Sequence, residues 1–239
     1  MGRIFLVRHA QASFLAADYD RLSSTGVVQA RTLGEYWARH KLHFDRVCTG
    51  PRVRHQHTEK IVRELYAKND LNFPMPVVFE EFDEFQGDVV VEKCLPRLCE
   101  QDSRIRDLET AVRNANSPPQ RHRSFQKLFE AVVTMWVAGE LAVEGVESWE
   151  VFTARVNRGL SQFLSTAGKS ETCAAFTSGG PVAVAVQRAL RLSPQATLQL
   201  AWMPRNCSYA EFLFSADRFT LSTFNSFQHL DDPSLLTYR

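Results

Sequence analysis

Near the start of the chain a short apolar run, Ile4-Phe5-Leu6-Val7, ends abruptly in Arg8-His9. These two residue types suit chemistry at phosphorus. A phosphate monoester is a dianion rimmed with oxygen acceptors, and an arginine fork matches those oxygens bidentately while staying charged at any relevant pH. A neutral imidazole is a nucleophile that can divide one hard displacement into two easier ones through a phosphohistidine. One Arg-His pair is a weak signal, but two further polar segments have the same character. One is Thr49 to Arg54 (TGPRVR). Ser178-Gly179-Gly180 offers a hydroxyl and backbone amides at the start of a predicted helix, where partial positive charge gathers. Between them, four of the five residues from Glu80 to Glu84 are acidic.

Such residues act together only if the chain brings them together, and the hydrophobic pattern supplies the means. Ile4–Val7 reads as a buried strand that delivers Arg8 and His9 at its carboxyl end. Ser23 or Ser24 caps a helix to about His40, with Val27, Ala30, Leu33 and Trp37 on one face. Phe44 to Thr49 is a second expected strand, and Gly50-Pro51 opens a second helix with Pro51 in its first turn. That phase puts His57 one turn after Arg54, on the same side. Val77-Val78-Phe79 and Cys173 to Thr177 are further strands, the latter leading through Ser178-Gly179-Gly180-Pro181 into a helix to about Leu190. Tyr209 to Phe214 and Phe219 to Phe224 read as a closing pair.

Strands alternating with helices imply an α/β fold, in which a mostly parallel central sheet lies between two helical layers. Ligands of such folds bind outside the carboxyl ends of the strands. All three polar segments follow a predicted strand, so they are expected to converge there. Residues 1–239 are read as one domain, with a helical insertion at about 89–143 placed as a lid. Arg121-His122-Arg123 falls in that insertion and is expected to be a solvated loop.

Composition narrows the function classes. The 28 Lys and Arg nearly balance the 27 Asp and Glu, giving a net charge of +1. No bulk field therefore draws the chain to nucleic acid or to a membrane surface. The opening MGRIFLVRH has no secretory apolar core, and the expectation is a soluble, cytoplasmic protein. Five scattered cysteines without a C-x-x-C pair read as reduced thiols, and no metal or other cofactor is expected.

Taken together, the motifs resemble the histidine phosphatase superfamily, in its phosphoglycerate-mutase-like branch. LVRHAQASF is similar to the Arg-His-Gly signature that ends the first strand of that family. Leu22, Ser23, Gly26, Gln29 and Ala30 fit the L-S/T-x-x-G-x-x-Q-A segment that starts its first helix. TGPRVRHQHT resembles the family's second phosphate-binding segment and carries that arginine onto Arg54. Phe79-Glu80-Glu81 resembles the L-x-E that supplies the general acid, which makes Glu81 the candidate, in competition with Glu80 and Glu84. Glu147-Ser148 with Phe152 and Arg155 matches a later helix start, and Asn225 with His229-Leu230 a closing segment. The resemblance implies a three-layer α/β/α fold and His9 as the nucleophile. Arg8, Arg54, Ser178, Gly179 and Gln11 are the implied phosphate ligands, and the substrate is a small phosphorylated molecule.

Two positions depart from the pattern. Ala10 stands where the signature has glycine. Ser178 stands where the family has a second histidine, and a serine donates one hydrogen bond but brings no charge. The resulting expectation is a metal-independent phosphomonoesterase, slowed by Ser178. The alternatives are a catalytically silent protein that binds a phosphorylated ligand and, less favoured, a phosphoglycerate-mutase-type phosphotransferase.

Overall fold

The structure, a computed structural model, describes residues 1–13, 20–168 and 170–238. Phe14 and Tyr19 of the N-terminal motifs lie outside the described residues. A first compact unit comprises Met1–Glu84 and Ala154–Arg239, and a second comprises Phe85–Thr153.

The first unit is built on strands β1 (Gly2–Arg8), β2 (Arg46–Thr49), β3 (Val77–Val78), β4 (Thr172–Thr177), β5 (Tyr209–Phe214) and β6 (Phe219–Ser226). They form one sheet in the order β3-β2-β4-β1-β5-β6. β3, β2, β4 and β1 are mutually parallel, and β5 and β6 add an antiparallel flank. Arg8 pairs in register with Thr177, and Thr49 with Phe176. The segments that follow β1, β2 and β4 therefore leave the sheet at the same edge, as ligand-binding loops of parallel sheets do.

Helices α1 (Ser24–Arg39) and α2 (Val53–Lys68) pack on one another. Alternate side chains of β1, Phe5 and Val7, enter a cluster with Ala30, Leu33 and Trp37 of α1 and Ile61, Val62 and Tyr66 of α2. Period-two alternation turns Ile4 and Leu6 to the other face, and both are buried. Further along the chain come α3 (Gly87–Gln101), α4 (Ser103–Arg113), α5 (Pro118–Val137), α6 (Trp149–Ser165), α7 (Gly179–Leu190) and α8 (Pro194–Ala201). α7 packs on β1 and β6.

The second unit holds α3, α4, α5 and the first turn of α6. Its core includes Phe85 stacked on Trp136 at 5.6 Å and Trp149 edge-on to Trp136 at 5.8 Å. Ser117 caps α5 by accepting from the Gln120 amide, and Pro118 occupies the first helical position. Arg121, His122 and Arg123 are accordingly helical, in the first two turns of α5, and not in a loop.

Candidate active site

His9 sits just beyond β1, 8% exposed. Its amide donates to the Thr177 carbonyl at 2.7 Å, and its carbonyl accepts from the Cys207 amide at 3.1 Å. The ring is fixed at both nitrogens. Nδ1 lies 2.8 Å from the Ala10 carbonyl, which can only accept, so Nδ1 carries the proton. Nε2 then holds the lone pair, and it accepts from Arg54 Nε at 3.1 Å. Burial, followed by the fields of Arg54, His55 and Arg8, holds the His9 pKa well below the usual imidazole value. The ring is neutral near pH 7, with its nucleophilic atom beside a guanidinium.

Arg54 comes from the first turn of α2 and is 5% exposed. The helix begins at Val53 after Arg52 in the cap position, so Pro51 precedes the helix and does not occupy its first turn. Asp20 substitutes for the missing side-chain cap: its Oδ2 accepts from the Val53 amide at 2.8 Å. Oδ1 of the same carboxylate pairs with Arg54 at 2.8 Å. Thr58 locks α2 to the end of β1, donating to the Arg54 carbonyl and accepting from the Ala10 amide. Arg8 is anchored by NH1 to the Pro204 carbonyl, with its Nε 3.9 Å from where a side chain on Gly179 would begin.

The acidic segment presents Glu84, not Glu81, to this edge. Glu84 Oε2 accepts from the Gly180 amide at 3.1 Å, at the start of α7. The Cβ and Cγ of Glu81 instead fill the space that a side chain on Gly159 would need. Four groups fix the orientation. Arg155 donates to the carbonyls of Glu80, Glu81 and Asp83 at 3.3, 2.8 and 3.2 Å. Arg52 pairs with Asp83. Asp83 Oδ1 accepts from the Glu84 amide at 2.8 Å. Thr177 Oγ1 donates to the Phe82 carbonyl at 2.7 Å. Arg155 is thus a backbone clamp, a role its place in a helix motif did not disclose.

Ser178, 1% exposed, caps the start of α7 by position but not by hydrogen bond. Its Oγ lies 2.6 Å from His55 Nε2. The fully buried His55, rather than the partly buried His57, is the histidine that α2 turns inward. The buried stripe of α2 runs through Arg54, His55, Thr58, Glu59, Ile61 and Val62, and residue 57 falls outside it. The ring needs Gly50: a Cβ there would lie 2.4 Å from His55 Nδ1 and 2.6 Å from the Phe82 carbonyl oxygen. Burial, then Arg54 and Arg52, holds His55 well below the ordinary imidazole pKa.

Gln11, expected among the phosphate ligands, is tied through its two oxygens to Ser23, the cap of α1. Its side-chain oxygen accepts from Ser23 Oγ at 2.8 Å and its carbonyl from the Ser23 amide at 2.9 Å. Its amide donates to the buried Gln29, whose Nε2 donates to Leu235 and Thr237 of the C-terminal segment. Gly26 allows this approach, since a Cβ there would come within 2.1 Å of the Gln11 carbonyl oxygen. The matched helix-start motif is therefore a structural staple.

Three buried neutral histidines give stability a pH dependence of definite sign. His9 and His55 are shifted well down, and His229, stacked on Tyr209, is pushed down to about 4, chiefly by burial. Below about 6.5 the unfolded chain binds protons that the native state refuses, so their contribution is complete above that pH and fades as pH falls. Urea midpoints should change little above about pH 7 and drop steadily from about pH 6.5 to about pH 5. A flat profile would contradict the neutral assignments.

By fold, the chain is a phosphoglycerate-mutase-like α/β protein. The model of the histidine phosphatase superfamily (branch 1) matches residues 99–226, over half of the sequence, and the chain belongs to that superfamily. The matched stretch includes Ser178 and α7 but not His9 or Arg54. No curated protein matches the sequence. Among solved structures, a phosphoserine phosphatase from Entamoeba histolytica in complex with 3-phosphoglyceric acid aligns with TM-score 0.64 at 14% identity, over 96% of this chain and 100% of that one. The alpha-ribazole phosphatase of Shigella flexneri aligns at 0.60 and 16%, over 94% and 96%. A phosphoglycerate mutase from Bacillus anthracis aligns at 0.62 and 15%, over 95% and 94%.

Proposed function

We propose that the chain is a metal-independent phosphoric monoester hydrolase acting through His9. One observation carries the reading: His9 Nε2 is left as a lone pair 3.1 Å from a buried guanidinium, on a ring whose other nitrogen is tied to backbone. In the reaction Nε2 attacks phosphorus while Arg8 and Arg54 hold the equatorial oxygens, and the bond to the leaving oxygen breaks. A carboxyl protonates that oxygen. Water then attacks the phosphohistidine, the same carboxylate accepts its proton, and phosphate leaves with His9 restored. The contact with the Gly180 amide favours Glu84 over Glu81 for the carboxyl role. Phosphate taking up that amide would release Glu84 toward the leaving group. Small phosphorylated acids are the first substrates to try, given the phosphoserine and 3-phosphoglyceric acid named with similar structures.

Trapping of an acid-labile phosphoryl adduct tests the reading, and identical absence of turnover from wild type and His9→Ala would replace it with silent phosphate binding. The acid is assigned separately. Glu84→Gln should slow phosphoryl transfer from an alkyl phosphate to His9 by about a hundredfold or more, and the single-turnover release of p-nitrophenolate from p-nitrophenyl phosphate far less, because that leaving group needs no proton. Glu81→Gln should leave both rates near wild type. The reverse pattern would return the role to Glu81.

A further inference from the structure

We propose that His55 is a positioning residue that acts through Ser178, holding its hydroxyl as a donor to the transferring phosphoryl group. The inference rests on the phosphoryl site proposed above and adds a residue from a different element.

Ser178 follows β4 directly and stands at the start of α7, with no bond to the amides it would ordinarily cap. Its hydroxyl is instead taken up by His55 at 2.6 Å. The His55 ring lies beside the nucleophile, with centroids 5.6 Å apart and planes inclined at 38°. The site therefore holds two imidazoles, His9 from β1 and His55 from α2, with the serine linked to the second.

A hydroxyl has one proton to give. Left alone, Ser178 would turn it toward whichever acceptor was nearest. When Nε2 of His55 carries a proton and donates to Oγ, the serine proton is directed away from the ring and onto a phosphoryl oxygen. When Nε2 is the acceptor, the serine points inward and the phosphoryl oxygen loses its donor. Arrival of a dianion selects the first arrangement, because its negative charge favours a donor aimed at it. His55 is faced by Arg54 of its own helix, by Arg52 in the cap position before it, by the Gly50 backbone and by His9 just beyond β1. Burial, then the two guanidiniums, keeps it neutral at rest against the opposing backbone hydrogen bond at Gly50, so the donor arises from tautomer choice, with no net proton uptake.

A double-mutant cycle with two readings tests the proposal. Ser178→Ala, His55→Phe and the double variant are compared for inorganic phosphate affinity by calorimetry and for kcat on p-nitrophenyl phosphate. His55→Phe keeps the ring volume, and His55→Gln restores a nitrogen near the Nε2 position should a ring without nitrogen fail to fold. If His55 acts through Ser178, each single variant and the double lose the same factor. That factor should be about a hundredfold in kcat and smaller in phosphate affinity, and His55→Gln should recover part of it. Additive losses overturn the proposal, because independent sites add. So does an unchanged kcat and phosphate affinity in His55→Phe. If wild type and His9→Ala turn over equally, the phosphatase reading fails, and the phosphate-binding cycle still decides the role of His55.

Discussion

Replacement of His9 by alanine should reduce kcat/KM by about ten-thousandfold or more, the scale on which loss of a covalent nucleophile is felt. The acid-labile adduct should vanish with it. Folding should persist, because the bonds that hold this residue are mostly to its backbone: the amide to Thr177 and the carbonyl to Cys207. Phosphate affinity should also persist in large part, since the arginines are untouched. The distinguishing pattern is lost chemistry with retained binding. A variant that kept even a tenth of wild-type turnover would remove His9 from the reaction.

Arg54→Ala should have the next largest effect, about a thousandfold in kcat/KM, as expected for removing a preorganised charged donor from the developing phosphoryl charge. The helix start should survive, because Asp20 caps Val53 through an oxygen separate from the one that meets Arg54. A second signature follows from electrostatics. Burial depresses the His9 pKa most, and Arg54 is the next cause. Without that guanidinium the pKa rises, so the acid limb of the pH–rate profile should move to higher pH while staying below the ordinary imidazole value. Arg54→Lys should restore part of this shift but little of the rate, because a point charge cannot copy the fork. An unmoved acid limb in Arg54→Ala would mean that His9 is not the titrating base.

The parts of this molecule that local patterning specifies were legible in the sequence. β1 and α1 follow from a run of apolar residues and from Ser23 ahead of a regular stripe, and the structure places both within two or three residues of the reading. α8 went unread although Ser193-Pro194 is a sound cap and first-position pair, because so short a helix offers little periodicity. At the site, Arg8 and His9 were visible because charge follows an apolar run abruptly, and Arg54 because its segment resembles a motif of the superfamily. His55 was not. Residue 57 was read as sharing a side with Arg54 from the one-turn spacing, but the buried stripe runs from Arg54 through residues 55, 58 and 59 and leaves 57 outside it. The inward carboxyl could not be picked from four acidic neighbours either, because Arg155, from far along the chain, and Arg52 fix the path of residues 80 to 84. Helix phase and long-range clamps are tertiary information.

Arg54 meets Asp20, and the first turn of α7 meets Glu84, so the cationic groups of this edge already hold carboxylates supplied by the chain itself. On the function proposed above, binding a phosphorylated molecule is then an exchange of one anion for another. Much of the attraction that would otherwise tighten the complex is spent on displacing those internal competitors. The same exchange favours departure of inorganic phosphate at the end of a cycle. Product inhibition should therefore be weak, and affinity should respond only shallowly to ionic strength.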